Sequence, residues 1–83
     1  MLIKLLGSET TLTSATNVGS ATVVRVYNSD TAGTITQKTN ASPAVTVGTI
    51  TLAAGEVAFI EKNSTDTLEG GAKFKAVKVA YKN

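Results

Sequence analysis

The chain has 83 residues, a net charge of +2 and neither cysteine nor histidine, which excludes disulfides, cysteine nucleophiles and histidine-based acid–base catalysis. Eight basic against six acidic side chains produce too weak a field to predict a polyanionic partner from charge alone. Residues 1–83 are expected to form a single domain with a thin core, and partner chains are the remaining means of supplementing that core.

The first predicted element is a short apolar run. Within residues 1–9 this run ends at Gly7-Ser8-Glu9, and it predicts either a first strand or an arm that lies on another chain. Both alternatives bury its large side chains, which are therefore the candidate partner-binding residues: Leu2, Ile3, Leu5 and Leu6. The run is too short for a signal peptide or a membrane span, and neither is expected.

The next segments alternate between exposed and buried character. Residues 10–16 are threonine-rich and predict an edge strand. The β-branched run Ala21–Asn28 predicts a central strand, with Val24 and Val26 on one face and Val23, Arg25 and Tyr27 on the other. Residues 33–39 hold one large apolar side chain, Ile35, and predict a half-exposed strand that forms a hairpin with Ala21–Asn28.

The second half of the chain predicts three more elements. In residues 45–52 the apolar side chains change from odd-numbered to even-numbered positions at Gly48. This change indicates a β-bulge, or a bend that lets one strand belong to two sheets. Residues 55–62 are apolar on both faces and predict a central strand that pairs with the last strand, residues 73–82. The last strand itself shows either a register change near Ala76 or burial on both faces.

Short strands at intervals of about ten residues, separated by Gly, Asn and Asp, are typical of an all-β sandwich or barrel. We predict a compact antiparallel β-sandwich that resembles a jelly roll, with a small closed β-barrel as the alternative. Helix is nearly absent from the prediction.

The polar side chains do not form a recognisable catalytic or metal-binding motif. A carboxylate pair of the kind that glycosidases use would have to come from strand ends, where hydration and turn capping explain the acids better. Oxygen ligands for calcium are present in one loop, but their spacing is not that of an EF-hand. Asp66 is expected to bond to backbone N–H groups instead. The side chains that could supply these carboxylates and oxygen ligands are Glu56, Glu61, Ser64, Thr65, Asp66 and Glu69. We expect no catalytic, cofactor-binding or metal-binding residue.

Nucleic acid is the partner suggested by the last strand, where Lys73, Lys75, Lys78 and Lys82 surround Tyr81. These lysines fall on two faces, so they form a single stripe only if the register slips. Single-strand binders place several aromatic rings beside a basic groove. The four aromatic residues here, Tyr27, Phe59, Phe74 and Tyr81, are instead expected in the core, and we expect no nucleic-acid or carbohydrate partner.

Three pieces of the sequence together resemble a known class of proteins. They are Leu2-Ile3-Lys4-Leu5-Leu6 with the threonine-rich stretch after it, the segment Ala21–Asn28, and the group formed by residues 55–62, Asp66-Thr67-Leu68 and Ala76–Tyr81. They resemble small virion structural proteins of tailed phages that infect marine bacteria, cyanobacteria among them. The resemblance implies a β-sandwich carried in many copies on the particle as a capsid decoration or cement protein, synthesised in the host cytoplasm. It carries over no functional residue.

The hypothesis that follows is a non-enzymatic virion protein that binds the major capsid protein or another virion protein, as a homo-oligomer. Three alternatives stay open: a tail or head-to-tail junction protein, a host-surface or glycan-binding module, and a binder of single-stranded nucleic acid.

Overall fold

The computed structural model describes residues 2–82, so Met1 and Asn83, the two ends of the expected domain, lie outside the described residues. Within this range the chain forms eight strands: β1 (Leu2–Leu5), β2 (Thr10–Leu12), β3 (Val23–Asn28), β4 (Gly33–Lys38), β5 (Thr46–Leu52), β6 (Val57–Glu61), β7 (Thr67–Glu69) and β8 (Gly71–Lys82). The all-β prediction is confirmed. The residues described include no helix long and apolar enough to cross a membrane.

The strands form two antiparallel sheets. The larger sheet has the order β1-β8-β3-β6, with β2 also paired to β8, and the smaller has the order β5-β4-β7. Their facing sides share one hydrophobic core, which makes the molecule a sandwich. Over residues 2–82 the sheets do not join at β5 and β6, so the closed-barrel alternative is wrong.

The strand order is that of a jelly roll. In this topology the first, eighth, third and sixth strands form one sheet, and the second, seventh, fourth and fifth form the other. Thr10 and Thr11 at the start of β2 pair with β8 in the larger sheet. Farther along, Thr16 pairs with Leu68 of β7 through reciprocal N–H···O bonds of 3.1 and 2.9 Å. The chain after β2 thus takes the place of the second strand in the smaller sheet.

The core is built from alternate residues of β3 and β8 and from single large side chains of the smaller sheet. Val24, Val26, Phe74 and Ala76 are fully buried on the larger sheet. Ile35, Leu52 and Leu68 of the smaller sheet cover them from the opposite side, and Leu12 of β2 completes the cluster. Threonine-rich β4 and β5 therefore need only one or two apolar side chains each to hold their sheet in place.

Phe74 is the largest side chain in this core, and two glycines make room for it. A Cβ atom at Gly70 would lie 2.8 Å from Phe74 Cδ2 and 3.0 Å from the Thr34 carbonyl oxygen, and one at Gly33 would lie 3.1 Å from Phe74 Cζ. A side chain at Gly70 would therefore overlap the ring, whereas one at Gly33 would press on the ring and on the flexible end of the Lys73 side chain.

Asn28, at the end of β3, ties the two sheets together. Its side chain is fully buried. Nδ2 donates to the carbonyl oxygens of Thr31 at 2.9 Å, Leu52 at 3.0 Å and Ala53 at 3.2 Å. Because Leu52 ends β5 in the smaller sheet, this amide satisfies buried backbone acceptors where the two sheets meet.

Two pairing predictions are wrong. β3 and β4 do not form a hairpin; β3 pairs with β6 and β8, while β4 pairs with β5 and β7 in the other sheet. β6 is an edge strand rather than a central one, and it pairs with β3 instead of the last strand. Val57 is 40% and Phe59 38% exposed, so the apolar run of β6 is not covered on both faces.

The predictions about β5 and β8 are partly confirmed. The β4–β5 ladder shifts register between Gln37 and Lys38, opposite Thr46 to Gly48, so the irregularity lies where the glycine indicated it. However, β5 belongs to one sheet and does not bend into the other. β8 keeps a continuous register with β3 and is buried on both faces, through Phe74 and Ala76 on one and Val77 and Val79 on the other.

Candidate binding surface

One surface of the sandwich is rich in exposed apolar and aromatic side chains. It is the face of the larger sheet that points away from the smaller sheet, and we call it the outer face. The β3–β6 and β3–β8 registers place Arg25 beside Phe59 and Val77, and Tyr27 beside Val57 and Lys75, on this face.

Three aromatic side chains lie on the outer face. Tyr27 is 36%, Phe59 38% and Tyr81 49% exposed. The rings of Phe59 and Tyr81 are 6.0 Å apart between centroids and are tilted by 47°, an arrangement within the favourable range for aromatic pairs. The prediction that the four aromatics belong to the core is wrong for these three; of the aromatics in residues 2–82, Phe74 alone is buried.

The outer face also contains buried apolar side chains. Val77 and Val79 are 6% and 2% exposed, yet they lie outside the main core cluster because they point away from the smaller sheet. They are covered by larger neighbours on the same face, and the β1–β8 register places Leu5 beside Val79 and Ile3 beside Tyr81. The outer face is therefore a second, shallow apolar cluster that extends from β6 to β1.

The candidate partner-binding residues divide between two faces of β1. Ile3 and Leu5 lie on the outer face, whereas Leu2 and Leu6 have the opposite parity. The segment is a strand paired with β8, so in this chain the strand alternative holds rather than the detached arm. Leu2 is 65%, Leu5 67% and Leu6 43% exposed. Leu2 and Leu6 are exposed because the smaller sheet does not extend over β1, and Leu5 because it lies on the outer face. Burial of these side chains against another chain stays a prediction.

The charges on and near the outer face are few and mixed. Arg25 and Lys75 lie on it, and so does Glu61 at the end of β6. Lys78 lies on the opposite face, where its Nζ donates to the Gly19 carbonyl oxygen at 3.1 Å. Lys73 Nζ bonds to the Ala32 carbonyl oxygen at 2.9 Å. No single basic stripe forms from these residues.

The sandwich is open along the side between β5 and β6. An apolar depression of about 250 Å³ lies there, with Ile50 of β5, Ile60 of β6 and Leu68 of β7 in its wall. A more polar depression of about 450 Å³ adjoins it, and Gln37 lies in both. Ile50 is 43% exposed although it points in the same direction as buried Leu52, because β6 does not reach across to cover it.

The polar depression contains a buried lysine and a buried carboxylate. Lys62 Nζ donates to the carbonyl oxygens of Ala21 at 2.7 Å and Asn63 at 3.3 Å. Desolvation by burial lowers the pKa of Lys62 from its ordinary value of 10.5, and the negative charge of Asp66 acts in the opposite direction. This lysine was not predicted, because its position after Glu61 at a strand end is typical of a solvated cation.

Asp66 does not bond as its sequence suggested. Its side chain is 5% exposed, and its Oδ2 accepts a hydrogen bond from Gln37 Nε2 at 3.0 Å, across from β4. The expected partner was a backbone N–H group of the same loop. The loop carboxylates Asp66 and Glu69 are not joined by a third acid, and residues 2–82 hold no cluster of three potential metal-ligating side chains.

No family model, no curated protein and no solved structure matches the chain. The interpretation of the outer face therefore depends on its own geometry and chemistry.

Proposed function

We propose that the chain is a non-enzymatic virion structural protein of a tailed phage, a capsid decoration or cement protein that binds and stabilises the capsid shell. It acts on the capsid surface after synthesis in the host cytoplasm, and its partner is the major capsid protein or another virion protein. The observation that carries the proposal is the outer face, where apolar side chains from β6 to β1 are exposed on a domain with a thin core.

The chemistry of the outer face favours a protein partner. Its exposed residues are aromatic and aliphatic, as Leu5, Tyr81 and Phe59 illustrate, and such side chains are the usual anchors of protein interfaces. Scattered single apolar residues on a surface need no explanation, but a contiguous patch indicates an interaction site. The jelly roll adds support by analogy only, because lectin domains and cupins share it with viral capsid proteins.

Attachment through the β1 side of the outer face is tested with the substitution Leu5→Glu. Leu5 is 67% exposed, so the fold should tolerate the change, whereas a carboxylate buried against a partner is costly. We expect binding to empty capsid shells of the same phage, measured by co-sedimentation, to weaken at least about tenfold. The control is Ala54→Glu, which adds the same charge in an exposed turn.

Deleting residues 1–6 is a less specific test, because Leu5 also lies beside buried Val79. If the Leu5→Glu variant binds capsid shells as tightly as the wild-type chain, the β1 side of the outer face does not contact the capsid. Absence of the chain from purified particles would contradict the whole proposal.

Copy number in purified particles distinguishes the capsid from the tail. A decoration protein repeats over the capsid lattice in hundreds of copies, whereas a ring at the junction or in the tail contains about six or twelve, since closed symmetry fixes the number. A copy number of about six or twelve per particle would favour a protein of the tail or the head-to-tail junction over a capsid decoration protein.

Single-stranded nucleic acid is a second candidate, favoured by the position of Tyr27, Phe59 and Tyr81 beside Arg25 and Lys75. Such binding falls steeply with salt concentration. Fluorescence anisotropy with a labelled single-stranded oligonucleotide at 50 and 200 mM salt tests it. Affinity that is absent, or that ignores salt, would discard this candidate. A glycan array tests the host-surface alternative in the same way.

A further inference from the structure

We infer that the free edge of β6 is a self-association site, at which two copies of this chain pair their β6 strands antiparallel about a two-fold axis through Phe59. The inference specifies the homo-oligomer that the sequence analysis expects, and it uses the β6 edge and not the β1 side, where the proposed capsid attachment is tested. Its test is the mass of the isolated protein, which is measured without capsids, so its failure is distinguishable from a failure of capsid binding.

Strand β6 has backbone hydrogen-bonding groups on its free edge that no other strand of residues 2–82 uses. Lys62 N–H donates to the Thr22 carbonyl oxygen at 2.9 Å and Asn28 N–H to the Glu56 carbonyl oxygen at 3.0 Å, so the even-numbered residues of β6 face β3. Antiparallel pairing alternates these directions along a strand. The backbone N–H and C=O groups of Val57, Phe59 and Glu61 consequently point away from the sheet, along an open edge.

Apart from Glu61 at its end, β6 lacks the features that protect edge strands. Natural edges carry a lysine, a proline or a bulge that discourages pairing. In the larger sheet β1 carries Lys4, and in the smaller sheet β5 has its register shift near Gly48. Residues 57–60 are Val-Ala-Phe-Ile, uncharged and regularly paired with β3 throughout. Such an edge is suited to pairing with another strand.

One register between the β6 strands of two copies is electrostatically self-complementary. With Phe59 opposite Phe59 of the second copy, Val57 faces Glu61, Ala58 faces Ile60 and Glu56 faces Lys62. No like charges are then opposed, and about six main-chain hydrogen bonds form. Centring the axis on Glu61 would oppose two carboxylates, which destabilises a sheet, and centring it on Val57 would require pairing by the turn at Gly55, whose φ is +78°.

The same axis explains the exposed apolar residues on the open side of the sandwich. A two-fold axis perpendicular to the larger sheet keeps both smaller sheets on one side and brings the two β5 edges toward each other. Val47 is 56% and Ile50 43% exposed on this edge, next to the apolar depression. Pairing of β6 would thus shield Phe59 on one face of the joined sheet and Ile50 on the other.

The mass of the isolated protein in solution tests the inference. Sedimentation equilibrium of the wild-type chain should give twice the chain mass of 8.5 kDa. Phe59→Lys places two ammonium groups opposite one another at the axis, and it should halve the mass. Ser14→Lys, an equal change of charge at an exposed position remote from β6, should leave the dimer intact.

A proline substitution separates edge pairing from folding. Phe59→Pro removes an N–H group that points away from β3, at a position where edge strands tolerate proline, together with a ring that is 38% exposed. This variant should therefore be a folded monomer. Ala58→Pro removes an N–H group that faces β3 and should instead destabilise the domain. If Phe59→Pro does not fold, the Phe59→Lys result decides.

Hydrogen exchange gives an independent check at the atoms concerned. The amides of Val57, Phe59 and Glu61 should exchange at least about tenfold more slowly at concentrations that favour the dimer than in dilute protein. A wild-type monomer at all concentrations, a mass other than two chains, or a Phe59→Lys variant that remains dimeric would overturn the inference. If the wild-type chain is a monomer and the Phe59→Lys variant loses capsid binding, the inference is also overturned, and the β6 edge would instead pair with a strand of the capsid partner.

Discussion

Strand β3 has two faces that differ in what covers them, although both carry good strand formers. On the face toward the smaller sheet, Val24 and Val26 are fully buried. On the outer face Arg25 is half-buried and Tyr27 is 36% exposed. The smaller sheet makes one face a core and leaves the other as a surface. Substitutions on the inner face should therefore change stability, and substitutions on the outer face should change association.

The largest expected effect is on the inner face, at Phe74. Phe74→Ala removes the largest core side chain and leaves a cavity between Gly33 and Gly70, so the free energy of unfolding should fall by about 3–5 kcal/mol. Urea denaturation followed by circular dichroism measures it. Phe74→Leu, which keeps more of the volume, is the control and should cost less. Equal losses in the two variants would contradict a cavity effect.

The next effect concerns the link between the sheets at Asn28. Asn28→Ala removes the side-chain donor to the Leu52 carbonyl oxygen. The Ala53 carbonyl oxygen keeps a bond from Glu56 N–H at 3.1 Å. We expect a loss of about 1–3 kcal/mol. Asn28→Asp keeps the shape but replaces the donor with an acceptor, and it should be at least as destabilising at neutral pH. Wild-type stability in both variants, measured by thermal unfolding, would show that water replaces the amide.

A smaller effect is the pH dependence that arises from Lys62. Its pKa is lowered in the folded state from the ordinary 10.5, so in the window between the folded and unfolded pKa values the unfolded chain binds more protons. Stability from this group therefore rises as pH increases through that window toward 10.5. Lys62→Met should flatten this rise. The difference between the two unfolding profiles measures it, and parallel profiles would contradict the shift.

The smallest effect on stability is expected on the outer face. Tyr27→Thr keeps a good strand former at an exposed position, and the free energy of unfolding should change by no more than about 0.5–1 kcal/mol. If the same variant unfolds as readily as Phe74→Ala, the outer face belongs to the core of the monomer, and the distinction between the two faces of β3 is lost.

Local sequence patterns predicted the strands themselves better than they predicted which strands pair with each other. The β-branched run of Ala21–Asn28, the parity change at Gly48 and the single large side chain of residues 33–39 each correspond to a strand or bulge in the structure. The predicted hairpin failed because β3 and β4, although consecutive, separate into different sheets. Sequence proximity favours pairing, but a jelly roll sends consecutive strands across the sandwich.

The candidate surface was predictable only at β1. The apolar run of β1 predicts a strand or an arm on another chain, and so marks Leu2, Ile3, Leu5 and Leu6 as candidate partner-binding residues. The sequence places Tyr27, Phe59 and Tyr81 in the core instead, because large aromatic rings are usually buried there. One signal was available: Tyr27 shares its parity with Arg25, and a charged residue in a central strand indicates a face that is not fully covered.

Residues close together in the chain were sufficient to predict the strand content, the position of the bulge and the alternation that puts Val24 and Val26 on the same side. Which strand is an edge, which face is covered and which charges are buried became visible only in the folded molecule. Those properties depend on pairs such as Asn28 with Leu52 and Gln37 with Asp66, whose members are brought together only when the two sheets pack.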